Sequence, residues 1–169
     1  MKAGVLALQG DFREHAAVLR GLGAAPIEVR TPADLDRVGC LAIPGGESTA
    51  ISLLARKRGL VDPIRRRARE GMPVLGTCAG MIVLAREVIE GQPLLELMDI
   101  RVARNAYGRQ TDSFEADVDV AGVGPVRGVF IRAPVVDRVG SEVTVLAEHE
   151  GRPVVVEQGS LTAASFHPE

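Results

Sequence analysis

Gly76-Thr77-Cys78-Ala79-Gly80 stands between the apolar run Pro73-Val74-Leu75-Gly76 and a helix-periodic stretch from Ala79 to Glu87. A strand that turns sharply into a helix pushes the central side chain of such a pentapeptide up and outward. Glycines on both sides leave room that Cβ atoms would fill. The unsatisfied N–H groups and dipole of a helix start favour a thiolate, so Cys78 reads as a nucleophile. A small buried apolar cysteine also suits these five residues.

Outward from this turn, strands and helices alternate. Lys2 to Leu8 is an apolar run closed by Gln9-Gly10-Asp11, and Phe12, Ala16, Val18, Leu19 and Leu22 follow at near-helical spacing before Gly23. Ile27 to Arg30 and Cys40 to Ile43 are short strands, the latter in a buried run, ended by Thr31-Pro32 and Pro44-Gly45-Gly46. Helical sequence runs from Thr49 to Lys57 and from Val61 to Glu70. This alternation predicts a mostly parallel sheet covered by helices on both faces. Farther on, Arg101-Val102, Phe114 to Val120, Val126 to Ile131, Val143 to Ala147, Pro153 to Glu157 and Leu161 to Phe166 read as strands. The second half is therefore strand-rich and partly antiparallel.

With 169 residues, 46% of them apolar, the chain is expected to form one domain over residues 1–169. No stretch reaches the ~18 consecutive apolar residues that cross a bilayer, and the N-terminus lacks a signal-peptide layout, so a cytoplasmic protein is expected. The net charge is −2 and the pI about 6.0. The dense basic run, Arg65-Arg66-Arg67, lies in helical sequence without interleaved aromatics and reads as a solvated helix face. Nucleic acid is not an expected partner. Cys40 and Cys78 cannot build a disulfide framework, and neither has a second Cys or His at zinc-ligand spacing.

A cysteine nucleophile needs a base and a group that orients the base. His167 closes the last apolar run in Phe166-His167-Pro168-Glu169, and Pro168 disfavours a helical residue before it. In an extended chain residues two apart face one side, so Glu169 can reach one imidazole nitrogen while the other faces Cys78. His15, in a helical stretch, and His149, beside a turn, read as ordinary partly exposed histidines. Pro44-Gly45-Gly46-Glu47-Ser48 leaves its strand at the edge where open α/β sheets bind ligands. Its glycines let backbone N–H groups approach a developing oxyanion, although a tight turn before a helix capped by Ser48 accounts for the same residues.

Together and in this order, the three segments resemble the class I, or triad, glutamine amidotransferases, which carry a Cys on the elbow and a His-Pro-Glu near the C-terminus. Within that class the sequence is similar to the glutaminase subunits of pyridoxal 5′-phosphate synthases. The similarity lies in Gly4 to Gly10, Arg13-Glu14-His15, Pro44 to Thr49, Gly76 to Met81, Arg104 to Gln110, Phe130 to Pro134 and Phe166 to Glu169. It implies a flavodoxin-like, three-layer fold. It also implies hydrolysis of L-glutamine to glutamate and ammonia, without a cofactor or metal, and delivery of the ammonia to a (β/α)8-barrel synthase subunit. In this reading Cys78 is the nucleophile, His167 the base and Glu169 the orienting carboxylate. Glutamine lies against Gly46, Glu47, Ser48, Arg104, Ile131 and Arg132, and the backbone N–H groups of Gly46 and Ala79 are the oxyanion donors. The arginines suit the part because a guanidinium offers a planar donor pair to an α-carboxylate.

Gln9, Arg13, Glu14 and His15 follow a turn that leaves the sheet on the Cys78 side, and they are expected at the synthase interface. A glutaminase of another pathway, such as the one feeding imidazole glycerol phosphate synthesis, shares the triad. A non-catalytic flavodoxin-like module shares only the fold. Family members continue past the last motif into a C-terminal helical segment, which this sequence is expected to lack.

Overall fold

Four short apolar runs become parallel strands, β1 (Ala3–Leu6), β2 (Ile27–Val29), β3 (Cys40–Ile43) and β4 (Val74–Thr77). The computed structural model describes residues 2–104 and 113–169. All of β1 is buried, which is why its sequence shows no in–out alternation. Between the strands lie helices α1 (Phe12–Gly21), α2 (Pro32–Leu35), α3 (Ser48–Lys57), α4 (Val61–Arg69) and α5 (Ala79–Leu84). The later strands are β5 (Ala85–Ile89), β6 (Met98–Ala103), β7 (Phe114–Val120), β8 (Gly124–Phe130), β9 (Val135–Val139), β10 (Thr144–His149), β11 (Arg152–Gln158) and β12 (Leu161–Ala164).

The main sheet has the order β10-β11-β12-β4-β3-β1-β2. From β12 to β2 its strands run parallel, while β11 and β10 join antiparallel at one edge. A smaller sheet, β5-β6-β9, and a ribbon, β7-β8, complete the strands. One apolar cluster packs Ile51, Ile64, Met81 and Leu84 from three helices against Leu6, Leu41, Ile43 and Val74 of the sheet. A second cluster gathers Val118, Phe130, Val154 and Phe166. There Phe114 stacks on Phe130 at 4.6 Å between ring centroids, and Phe166 lies 5.2 Å from Phe130.

Four local readings change. The helix expected from Ala79 to Glu87 stops at Leu84, because Ala85 turns extended at ψ 144° and β5 pairs with β6. Tertiary pairing overrides the local periodicity. A helix also forms at Pro32–Leu35, where the Thr31 and Asp34 side chains cap each other's backbone and Pro32 occupies the first turn. Arg65 and Arg67 are not simply solvated. Arg65 donates to the carbonyls of Leu94 and Leu95 at 2.7 and 2.9 Å, and Arg67 to those of Leu35 and Val38 at 3.0 and 2.8 Å. Cys40, read as buried, is half-buried.

The turn after β4 depends on close backbone approach. A Cβ at Gly80 would lie 2.1 Å from the Ile43 carbonyl oxygen, and one at Gly76 would lie 2.7 Å from the Gly80 backbone. At Gly21, by contrast, an added Cβ meets open space. Gly80→Ala is expected to destabilise the protein by about 2 kcal/mol or more, as overpacking does. Gly21→Ala, at the end of α1, should be neutral or gain up to ~1 kcal/mol. Urea denaturation checks both, and equal midpoints for Gly80→Ala and the unsubstituted protein would contradict the packing argument.

Candidate active site

Four adjacent parallel strands deliver the chemistry to one edge. β12 pairs with β4 through Ala164↔Thr77, β4 with β3 through Gly76↔Ile43, and β3 with β1 through Ala42↔Val5. The residues that follow these strands are His167, Cys78, Gly46 and Asp11. All four line one cleft of about 360 Å³ with Glu47, Ser48, Ala79, Arg104, Ile131 and Arg132. A second cleft of about 390 Å³ adjoins it, sharing Ser48, Ile82 and Arg104.

Cys78 has φ 49° and ψ −105°, a sparsely populated conformation for a residue with a Cβ. It is held there because its N–H donates to the Ala164 carbonyl at 2.8 Å, while its own carbonyl accepts from Met81 at 3.1 Å. The strand-to-helix turn read from the pentapeptide is therefore present. The thiol is 7% exposed and its sulfur lies 4.0 Å from the Ile131 carbonyl oxygen. Ala79 opens α5, so its N–H belongs to the first turn, where no intrahelical acceptor exists.

His167 is extended, as Pro168 predicts, and a two-way backbone bridge to Val129 of β8 at 2.9 and 3.0 Å fixes it. Its Nδ1 faces Glu169 Oε1 at 3.1 Å and Asp11 Oδ2 at 3.3 Å. Burial disfavours the imidazolium, but hydrogen bonding to Cys78 and Glu169 and their charges outweigh it and raise the pKa to about 10. For Glu169, burial pushes the carboxyl up. The hydrogen bond from His167 and the neighbouring His15 imidazole prevail and hold it below the ordinary carboxylate range.

The Pro44 to Ser48 loop is held from the β1 side. Asp11 N–H donates to the Gly45 carbonyl at 3.0 Å, and Glu47 N–H donates to Gln9 Oε1 at 2.8 Å. Because the peptide is trans, the Gly46 N–H points opposite the Gly45 carbonyl that Asp11 holds. Glu47, not Ser48, caps α3, accepting from the N–H groups of Thr49 and Ala50 at 3.0 and 2.7 Å. Burial raises the Glu47 pKa, but those two bonds and the Arg104 guanidinium at 3.2 Å leave it lowered. Arg132 carries φ 46° on the cleft rim.

The structure thus gathers Cys78, His167, Glu47, Ser48, Arg104, Ile131 and Arg132 around one cleft, with Glu169 behind the imidazole. Of the expected interface residues, Arg13 and Glu14 are exposed and Gln9 is half-buried, whereas His15 is 6% exposed and turns inward. That corrects the reading of His15 as a surface residue: α1 packs this face on the sheet. Residues 105–110 of the Arg104 to Gln110 segment lie outside the described residues. Sequence reasoning missed Asp11 and Gly45. Asp11 ends the turn after β1, a position that ligand-edge reasoning could have marked. Gly45 makes room for the His167 ring, since a Cβ there would lie 2.3 Å from His167 Cε1. Asp11, His167 and Glu169 bring ligand atoms within 4.8 Å of one another, and the carboxylates' service to the imidazole accounts for the grouping.

A parallel α/β sheet with a cysteine, a histidine and a carboxylate at its strand ends defines the structural class. The chain belongs to the SNO glutamine amidotransferase family, which it matches over residues 5–169. It is 57% identical over 171 residues to a Streptomyces avermitilis protein named pyridoxal 5′-phosphate synthase subunit PdxT, covering 98% of this chain and 85% of that one. A Roseiflexus protein of the same name is 53% identical over 175 residues, covering 100% and 93%. A crystal structure described as a glutamine amidotransferase superposes with a TM-score of 0.95 at 50% identity, covering 99% and 90%. The fold is that of the class I glutamine amidotransferases.

Cys78 and Glu169 both raise the His167 pKa, so removing one should leave a partial effect. In Cys78→Ala the imidazole is expected to titrate below its value of about 10 yet above the unperturbed 6.5. NMR titration of the His167 ring protons reads this directly. An unchanged value would mean that Glu169 alone sets it.

Proposed function

We propose that this chain is a glutaminase that hydrolyses L-glutamine through a Cys78-His167-Glu169 triad and supplies ammonia for pyridoxal 5′-phosphate synthesis. The observation that carries the proposal is the imidazole of His167, held by Glu169 Oε1 at 3.1 Å on Nδ1 and lining one cleft with Cys78. The pathway follows from the relatives of 53–57% identity that bear the synthase-subunit name. The glutaminase works as one domain, in the cytoplasm, where a soluble biosynthetic partner would meet it.

The Cys78 thiolate attacks the side-chain amide carbon of glutamine, and the Gly46 and Ala79 N–H groups stabilise the oxyanion. His167, as imidazolium, gives its proton to the departing nitrogen, and ammonia leaves as the C–N bond breaks. A glutamyl thioester remains. His167 then takes a proton from water, the hydroxide displaces the thiolate, and glutamate departs with the ion pair restored. Arg104 and Arg132 suit the α-carboxylate of glutamine, while Glu47 suits its ammonium group.

Cys78→Ala and His167→Asn should each remove nearly all glutamate release. Glu169→Gln should retain more activity, because only orientation of the base is weakened. Arg132→Ala should raise KM for glutamine about tenfold or more, the scale of a lost charge-assisted hydrogen bond. Retained turnover in Cys78→Ala would remove the nucleophile assignment, and an unchanged KM in Arg132→Ala would place the α-carboxylate elsewhere.

Among the described residues the cleft offers no acceptor for ammonia, and the synthase-subunit name of the relatives supports, as partner, a (β/α)8-barrel synthase subunit in a hetero-oligomeric complex that gates hydrolysis when it docks. The docking face includes Gln9, Arg13 and Glu14 beside the cleft. Gln9 couples that face to the oxyanion loop through the Glu47 N–H. Titrating a synthase subunit into the chain should raise glutamate release about tenfold or more if one oxyanion donor is being aligned. Reversing the charges of Arg13 and Glu14 should weaken that activation. Full activity without the synthase would refute the gate, and activation indifferent to the reversals would refute the face.

A further inference from the structure

We propose that His15 is a positioning residue of the triad, holding Glu169 against His167 from the protein interior. Its ring bridges two parts of the site. Nε2 lies 3.1 Å from Thr77 Oγ1, and Nδ1 lies 3.2 Å from the Asp11 carbonyl oxygen and 3.5 Å from Glu169 Oε1. Both neighbours of Nδ1 are acceptors, so in the neutral ring Nδ1 carries the hydrogen and Nε2 accepts from the Thr77 hydroxyl. Thr77 is fully buried and immediately precedes Cys78. It thereby fixes the tautomer whose Nδ1–H bonds the Asp11 carbonyl oxygen at 3.2 Å with Glu169 Oε1 beside it at 3.5 Å.

Local helix stability does not explain the ring. The Asp11 carbonyl already accepts the His15 backbone N–H at 3.2 Å, as the first helical bond requires. Glu169, by contrast, needs support. Its side chain is 7% exposed, and among the described residues Oε2 is buried without a hydrogen-bond partner, so Oε1 carries its contacts with both imidazoles. A buried carboxylate held at one oxygen is free to rotate unless a second donor pins that oxygen. His15 Nδ1, shared between the Asp11 carbonyl and Glu169 Oε1, is placed to supply that donor, and the chain of neighbours runs Thr77, His15, Glu169, His167.

This inference rests on the triad reading, and its test separates the two. Asparagine places an amide donor near the Nδ1 position, whereas glutamine reaches toward Nε2. His15→Asn should therefore keep the Glu169 contact and stay within about threefold of the parent kcat, while His15→Gln should lose about tenfold in kcat at unchanged KM, the scale of one hydrogen bond to a charged group. The measurement is glutamate release by the synthase-bound complex, repeated in the Glu169→Gln background. There the His15→Gln loss should shrink to about twofold, because the two residues act through one contact. An undiminished loss in that background, or equal losses for Asn and Gln, overturns the proposal. Alkylation of Cys78 by iodoacetamide needs neither glutamine nor partner. It should be slower in His15→Gln than in His15→Asn, and equal rates overturn the positioning role even if the parent chain were to show no glutaminase activity.

Discussion

The backbone at Cys78 is the constraint on which the site depends. A residue with a Cβ at φ 49°, ψ −105° costs about 1–3 kcal/mol and persists only where the surroundings over-determine it. Here they do. β12 holds the Cys78 N–H through Ala164, and α5 holds its carbonyl through Met81. Gly80 presses against the Ile43 carbonyl with no room for a side chain. The strands that clamp the turn also supply the other groups, because β12 leads to His167 and β3 leads to Gly46. Rigidity and composition of the site therefore have one origin in the parallel register.

Electrostatics then favours the charged form of the His167 imidazole. Burial alone would keep His167 neutral, and the pairing with Cys78 and Glu169 reverses that preference. Asp11 adds a second carboxylate 3.3 Å from the same nitrogen, but its side chain is 42% exposed against 7% for Glu169. Water screens the more exposed partner, so Glu169 carries the larger share of the orientation. The Pro44 to Ser48 loop is held separately. Gln9 and Asp11 grip it from the β1 turn, and Glu47 anchors its far end on α3.

Much of this was legible from local signals. The apolar runs gave β1 to β4 closely, and Phe114 to Val120 matches β7 at both ends. The elbow at Cys78 and the extended His167 follow from Gly and Pro stereochemistry, which acts over a few residues. What the sequence hid was long-range. β5 looks helical until Ala85 meets Met98, and β9 is a strand because β6 lies beside it. Arg65 and Arg67 look solvated until their carbonyl acceptors, about thirty residues away, are known. His15 is the sharpest instance, since nothing within its helix reveals that Thr77 and Glu169 surround it. The Thr31 cap differs in kind, because Thr31-Pro32-Ala33-Asp34 carried a legible capping signal that its proline obscured.

In the proposed mechanism Cys78 alone forms the covalent bond with the glutamine side chain. The most direct measurement is peptide mass mapping after exposure to a glutamine analogue bearing an electrophilic ketone in place of the side-chain amide. A single adduct is expected on the Cys78 peptide, prevented by excess glutamine and absent in Cys78→Ala. An adduct on Cys40, or labelling of Cys78 that glutamine does not prevent, would contradict it.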